Sequence, residues 1–298
     1  MGLHGNSWFV LCLVSCTFCG IVKCQPFVDV YLATSQPFEN GTQRVHISPH
    51  PGRQINEADI NKDLGFKDDE EKFEHVTNGK TRDIKVGIRL WKKRRGRLYI
   101  PYEISKKFSW FRRQKLKRAI RKMNSYLHCN KGRNVWIKRN KKKHKHFVKF
   151  QPGPGCSGTV GKSKWRINYI KLHNACIDYS DSGIVLHEMM HSMGFYHEMQ
   201  RGDRDKYIKI HHKNIQKGMT FNFHKFKTYL TTPFDFNSVM MYPFDAFTKN
   251  GRLTYEPKLP LLEREKVGQR NSLSQIDIRQ LNGLYECGNF KPVIPKGR

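Results

Sequence analysis

His187-Glu188-Met189-Met190-His191-Ser192-Met193-Gly194-Phe195-Tyr196-His197 is the stretch from which the rest of this 298-residue chain can be read. Two histidines four residues apart lie about 40° apart around an α-helix, so both imidazoles leave from one face. Ile184, Val185, Leu186, Met189, Met190 and Met193 give that helix an apolar body, which suits a buried element. Glu188 sits one step round from His187, where it can take a proton from a metal-bound water without itself ligating. A helix that simply continued would carry the third histidine to the far side. Gly194 supplies the break, because glycine accepts the left-handed conformation that ends many helices, and the returning chain can then deliver His197. Three neutral nitrogens with one coordination position left open describe a catalytic zinc site rather than a closed structural one. A lone member of the fourteen histidines would not support this reading. Five specified residues at fixed spacing do.

The flanking sequence bounds where such a site would work. Trp8 to Val14 and on through Ile21-Val22 is apolar but short, and reads as a secretory signal over residues 1–24, cleaved after Cys24. No later run is long and apolar enough to span a bilayer. Four of the eight cysteines leave with that leader. Cys129, Cys156, Cys176 and Cys287 remain, an even number in an oxidising compartment, so two disulfides are expected, and spacing alone permits three pairings. Asn40-Gly41-Thr42 is a glycosylation acceptor at Asn40, in keeping with a secreted, extracellular product.

Charge is the second unusual feature. The formal net charge is +30, concentrated in Lys92–Arg97, in Lys106 through Lys122 and in Lys138–Lys145. Within the middle run Phe111, Leu116, Ala119, Ile120, Met123 and Leu127 keep near-helical spacing, which predicts an amphipathic helix over 108–128 with a basic outer face. Such charge attracts polyanions, and outside the cell those are sulfated glycans or acidic proteins, so no nucleic acid partner is expected. Residues 25–82 differ from the later chain, with an acidic cluster at Asp68, Asp69, Glu70, Glu71 and Glu74 and no evident core. Strand-like runs come next at 97–104, 134–137 and 147–150, the last closed by Gln151-Pro152-Gly153-Pro154-Gly155. Helices are expected near 182–193 and 274–285.

Beyond the zinc motif, Phe195, Glu198, Arg201, Asp203, Arg204 and Asp205 continue a GFxHExxRxDRD pattern, and Phe236-Asn237-Ser238-Val239-Met240-Met241-Tyr242 matches a Met-turn usually written SxMHY. Val267-Gly268-Gln269-Arg270, Leu273-Ser274, Asp277 and Leu284-Tyr285-Glu286-Cys287 match a closing segment, and Trp91 and Ile100-Pro101-Tyr102 agree as well. On these residues the chain resembles the astacin family of metzincin zinc metalloendopeptidases over about 82–288. The resemblance implies an α+β catalytic domain over 83–298: an N-terminal half with a twisted mixed β-sheet and two long helices, a largely irregular C-terminal half with a late helix, and an active-site cleft between them. It implies one zinc ion on His187, His191 and His197, with Glu188 as general base and Met240 as an apolar floor. Tyr242 would be a displaceable further ligand that swings away to stabilise the oxyanion. Glu198 would pair with the new N-terminus of the mature enzyme, and the cysteines would pair Cys129–Cys287 and Cys156–Cys176.

The same resemblance makes 25–82 a propeptide whose FxGD-type aspartate occupies the zinc. Phe66-Lys67-Asp68-Asp69 fits with Asp69 as that switch residue, Asp68 being the rival. Maturation is expected near Lys80 to Arg82, with Lys92–Arg95 competing. Met241 stands where the Met-turn usually has histidine, and Pro243 where glycine is common. Arg201-Gly202-Asp203 spells an integrin-type tripeptide, but the family pattern already accounts for both flanking residues. Eleven residues follow Cys287, so no EGF-like or CUB extension is expected. The reading is a secreted, monomeric endopeptidase acting on protein or peptide substrates, with a preference for acidic residues beside the cleaved bond. The alternative is an extracellular polyanion-binding protein with secondary or lost protease activity.

Overall fold

The computed structural model describes residues 88–228, 232–261 and 264–290. The expected signal and propeptide, with Asp69 and Asn40, lie outside the described residues. Five strands, β1 (Ile100–Ile104), β2 (Trp136–Lys138), β3 (Phe147–Pro152), β4 (Cys156–Gly158) and β5 (Ile167–Leu172), form one sheet in the order β2-β1-β3-β5-β4. All neighbours are parallel except β4, which runs antiparallel to β5 along one edge. Parallel neighbours cannot be joined by a hairpin and need a crossover, which the helix α1 (Trp110–Tyr126) supplies between β1 and β2.

The apolar stripe of α1 follows from its sequence except at Phe111, expected on the buried face but 75% exposed. Ser109 caps the helix by accepting the Arg112 N–H at 3.4 Å, and Leu116, Ala119, Ile120 and Met123 are its buried positions. Fully burying side chains of this size contributes roughly 1.5–3 kcal/mol for each large one. They join the sheet's inner face (Ile100, Val148, Phe150, Ile170, Leu172) and the zinc-motif helix α3 (Gly183–Ser192) in a single apolar core. The short helix α2 (Asn174–Asp178) precedes α3, and α4 (Gln275–Leu284) closes the domain. Disulfides join Cys129 to Cys287 and Cys156 to Cys176. The first ties the end of α1 to the end of α4, where His128 N–H also donates to Asn282 Oδ1 at 2.8 Å.

After residue 194 regular structure is sparse. A two-stranded antiparallel ribbon of β6 (Ile208–Ile210) and β7 (Tyr255–Pro257) and several single 3₁₀ turns surround a second apolar cluster. It contains Phe223, Met241, Tyr242, Phe247 and Tyr255. Among the described residues, no helix is long and apolar enough to cross a membrane.

Some expected boundaries moved. The first strand begins at Ile100 rather than 97, because Arg94 and Arg97 bridge each other across Arg95 and Gly96, both at positive φ. β3 continues through Pro152, two residues into the expected stop. The neighbour β1 has ended by then, so the missing proline N–H leaves no ladder acceptor unmatched. β4, β5, β6, β7 and α2 were not foreseen.

Candidate active site

Backbone contacts at both ends fix where α3 sits. At its start Gly183 is pressed on Arg270: a Cβ there would lie 1.6 Å from the Arg270 carbonyl oxygen, so only glycine fits. At its end, where an α-helix leaves carbonyls without partners, three receive donors from other segments. Trp91 Nε1–H donates to Ser192 O at 3.0 Å, the Tyr285 hydroxyl to Met193 O at 2.9 Å, and Gly161 N–H to His191 O at 2.8 Å. Gly194 then takes φ +107° with Leu90 and Ile88 against it, and the chain reverses. His197 arrives as the residue before the 3₁₀ turn Glu198–Gln200.

The three rings converge. His187, His191 and His197 are all buried, and one nitrogen of each lies within 4.8 Å of the others. Their second nitrogens settle the tautomers. His187 Nδ1 is 2.8 Å from Val239 O, His191 Nδ1 is 2.7 Å from Phe195 O, and His197 Nδ1 is 3.2 Å from Gln200 Oε1. A carbonyl oxygen can only accept, so each Nδ1 carries the proton and each Nε2 keeps its lone pair. His187 Nε2 and His197 Nε2 stand 3.2 Å apart. Two lone pairs at that distance repel unless a cation lies between them. Burial first, and then the positive charge of Arg270, hold His187 well below the ordinary imidazole value, which keeps it neutral. Three neutral imidazoles, each held by an oxygen on its far side, fit Zn²⁺.

Around the histidines lie the other residues the sequence singled out. Glu188 is 1% exposed and lies against the edge strand: a Cβ on Gly158 would fall 2.6 Å from its carbonyl oxygen and 3.0 Å from Oε2. Met240 is buried in the same core as α3, and its carbonyl accepts Glu198 N–H at 3.0 Å. The Tyr242 hydroxyl is 3.0 Å from His197 Nδ1, with the two ring centroids 4.3 Å apart. It therefore reaches the site through the same ring nitrogen that Gln200 engages.

Beneath the rings the chain is held by buried charge. Glu198 Oε1 accepts Arg201 Nη1 at 3.0 Å and Asp235 N–H at 2.9 Å, yet burial outweighs both and pushes its carboxyl up to about 8. Arg201 also donates to Asp203 and to the carbonyls of Thr232 and Pro233. With its side chain 4% exposed, the Arg201-Gly202-Asp203 tripeptide is a strut and is not presented for adhesion. Asp277 accepts Ser238 Oγ–H at 2.6 Å and Val239 N–H at 2.9 Å, tying α4 to the segment whose Val239 carbonyl orients His187. Gly158, Gly161, Gln200 and Val239 were not singled out from sequence. Three act through the backbone or through the absence of a side chain, which leaves no chemical signature to read.

The model of the Astacin peptidase family matches residues 84–286. Zinc metalloproteinase nas-13 of Caenorhabditis elegans is 34% identical over 195 residues, covering 64% of this chain and 40% of that protein. Astacin-like metalloprotease toxin 1 of Loxosceles intermedia is 38% identical over 166 residues, covering 53% of this chain and 62% of that protein. The chain thus spans less than two thirds of the length of these relatives. Among solved structures, high choriolytic enzyme 1, a hatching enzyme zinc-protease from Oryzias latipes, aligns with a TM-score of 0.59 at 33% identity, covering 67% of this chain and 95% of that one. A match running from residue 84 to residue 286, across the sheet, the three histidines and the last helix alike, means that this chain belongs to the astacin family of peptidases.

Proposed function

We propose that this chain is a secreted zinc metalloendopeptidase, made as a proenzyme with residues 1–24 as signal, 25–82 as an aspartate-switch propeptide and 83–298 as the catalytic domain. The observation that carries the activity is the convergence of three lone-pair nitrogens beside a buried glutamate on one short helix. When bound, zinc lowers the pKa of water toward neutrality and polarises the carbonyl to be cleaved. Glu188 then removes a proton from the attacking water and returns it to the leaving amine. The Tyr242 hydroxyl, held at His197, is a donor for the negative charge that develops on the carbonyl oxygen. β4 is the edge strand beside Glu188, so an extended substrate lying along it meets that carboxylate.

Secretion is supported by two disulfides, which persist in oxidising compartments, and by the apolar leader. Asp69 as the zinc switch, Asn40 as a glycan site, a monomeric state and a preference for acidic residues beside the cut belong to the same reading. Incubating the activated protein with a proteome-derived peptide mixture, with and without a zinc chelator, tests it. Internal cuts that disappear on chelation and in the Glu188→Gln variant are expected. Cuts that persist in either would overturn the peptidase assignment, and cuts with no Asp or Glu enrichment at the flanking positions would remove the specificity.

A further inference from the structure

Three separate basic stretches meet on one face of the sheet half. Residues 89–97 carry six Lys or Arg, 138–146 carry six more, and 162–166 carry three, with no Asp or Glu in any of them. The fold brings them together through backbone contacts, with Phe147 N–H, directly after the second stretch, donating to Arg166 O of the third at 3.1 Å. Lys162 N–H donates to Arg89 O at 2.7 Å, and Lys162 Nζ stands 5.9 Å over the Trp91 ring. The tight turn at Arg95-Gly96 directs its cations outward, and Arg94, Arg95 and Arg97 are all exposed. Arg94 lies close enough to both other stretches to be felt in them. Burial first, and then the charges of Arg94, Lys143 and Arg139, lower the His144 value. Burial first, then Arg89, Arg94 and Lys92, lower that of Lys162. Of these cations Arg139 has a carboxylate partner, Glu103 at 3.0 Å.

Like charges gathered this densely repel one another, and among the described residues no matching set of anions lies on this face. We infer that it is an exosite for a sulfated polysaccharide, docked across Arg94, Lys143 and Lys162 and separate from the zinc site. The two disulfides place the protein among extracellular polyanions, where sulfated glycans rather than nucleic acids are met. Guanidinium and ammonium groups on three adjacent backbones suit a linear chain of sulfates better than a single phosphate. The face is also joined to the end of α3. Gly161, next to Lys162, donates to His191 O, and Trp91 donates to Ser192 O. A ligand bridging these stretches clamps the backbone that terminates the zinc helix, so occupancy raises the melting temperature.

The test uses the full chain carrying Glu188→Gln, so that binding is read apart from catalysis and stands or falls separately from the peptidase reading. A heparin-derived dodecasaccharide is titrated at several NaCl concentrations. Binding that weakens steeply with salt and raises the melting temperature is expected. Arg94→Ala/Lys143→Ala/Lys162→Ala should lose about tenfold in affinity or more. Lys206→Ala/Lys213→Ala/Lys217→Ala, which removes the same charge from exposed sites in the other half, should lose less than about threefold. A second patch variant confined to fully exposed positions, Arg95→Ala/Lys141→Ala/Lys142→Ala, guards against misfolding of the first and should also lose affinity. Equal losses in patch and control variants would overturn the inference. So would undiminished binding of a desulfated dodecasaccharide, or tighter binding of single-stranded DNA of equal charge.

Discussion

The two regions that face the histidines are built by opposite means. The sheet region is held by apolar contact: α1, α3 and the inner face of the sheet share a core of Leu, Ile, Val, Met and Phe. The region after Gly194 has little regular structure, and its chain is pinned by buried charge. Arg201 and Arg204 donate to carbonyls of Thr232, Pro233, Met199 and Phe223, Arg270 donates to Met241 O, and Asp277 accepts from Ser238 and Val239. Without a helix or sheet to satisfy its carbonyls, an irregular chain must find donors elsewhere, and long guanidinium arms reach several at once. The contrast predicts a division of labour. The sheet region supplies two ligands and the base on a rigid helix, while the irregular region aims the rings by their far nitrogens.

The largest expected effect tests the chemistry of the rigid side. Glu188→Gln should lower kcat/KM by roughly 10²–10⁴-fold with zinc content unchanged by elemental analysis. Retained activity would remove the base from the sheet region. Next, Arg201→Ala leaves the acceptors Glu198 Oε1, Thr232 O and Pro233 O without their donor, at about 1–3 kcal/mol each, and should cost about 3–5 kcal/mol in urea unfolding. A loss under about 1 kcal/mol would show that the irregular region does not depend on its charged struts.

Asp277 offers a pH test of the same idea. Burial raises its carboxyl from 3.8 to about 6 despite the bonds from Ser238 and Val239. Between those values the unfolded chain has released the proton that the folded chain still holds. Stability from this group is therefore greatest below 3.8 and is lost as pH climbs to about 6, amounting to ~3 kcal/mol. Asp277→Asn, which does not titrate, should show a flatter stability profile between about pH 4 and 6. A parallel profile would place the titration elsewhere.

Gly158→Ala then probes the apolar side without touching charge. Its Cβ would meet Glu188 O at 2.6 Å, forcing β4 and α3 apart at about 1–3 kcal/mol. Activity should fall with stability, and a fall in neither would mean that the edge strand yields freely. The smallest change is Tyr242→Phe, which removes the hydroxyl at His197 for about 1 kcal/mol of stability. Its kcat should fall more than its KM changes. An unaltered kcat would reduce Tyr242 to packing against Phe247.

Legibility followed the same divide. The ligand set could be read because His187, Glu188 and His191 share one helix face and Gly194 announces the reversal that brings His197, all within eleven residues. Helices α1, α3 and α4 were expected close to where they stand, since their apolar spacing and caps are local. β5 was not named, because Asn168 and Lys171 interrupt its apolar pattern. Asn168 is nonetheless buried, and its side chain bonds Gly161 O and Ser163 N–H. Burial of Arg201 and Arg204 runs against what charged residues usually do, and composition gives no hint of it.

From the order of residues alone come the metal-binding chemistry, the element that carries it and the turn that completes it, since these depend on neighbours a few positions apart. Three things needed the folded chain. The carbonyls of Val239 and Phe195 decide which nitrogen of two rings keeps its lone pair. Gly158 brings an edge strand against Glu188, and Lys162 meets the backbone of Arg89 and the ring of Trp91. Each joins groups distant in sequence or acts through backbone that every residue shares, and only packing decides which of them meet.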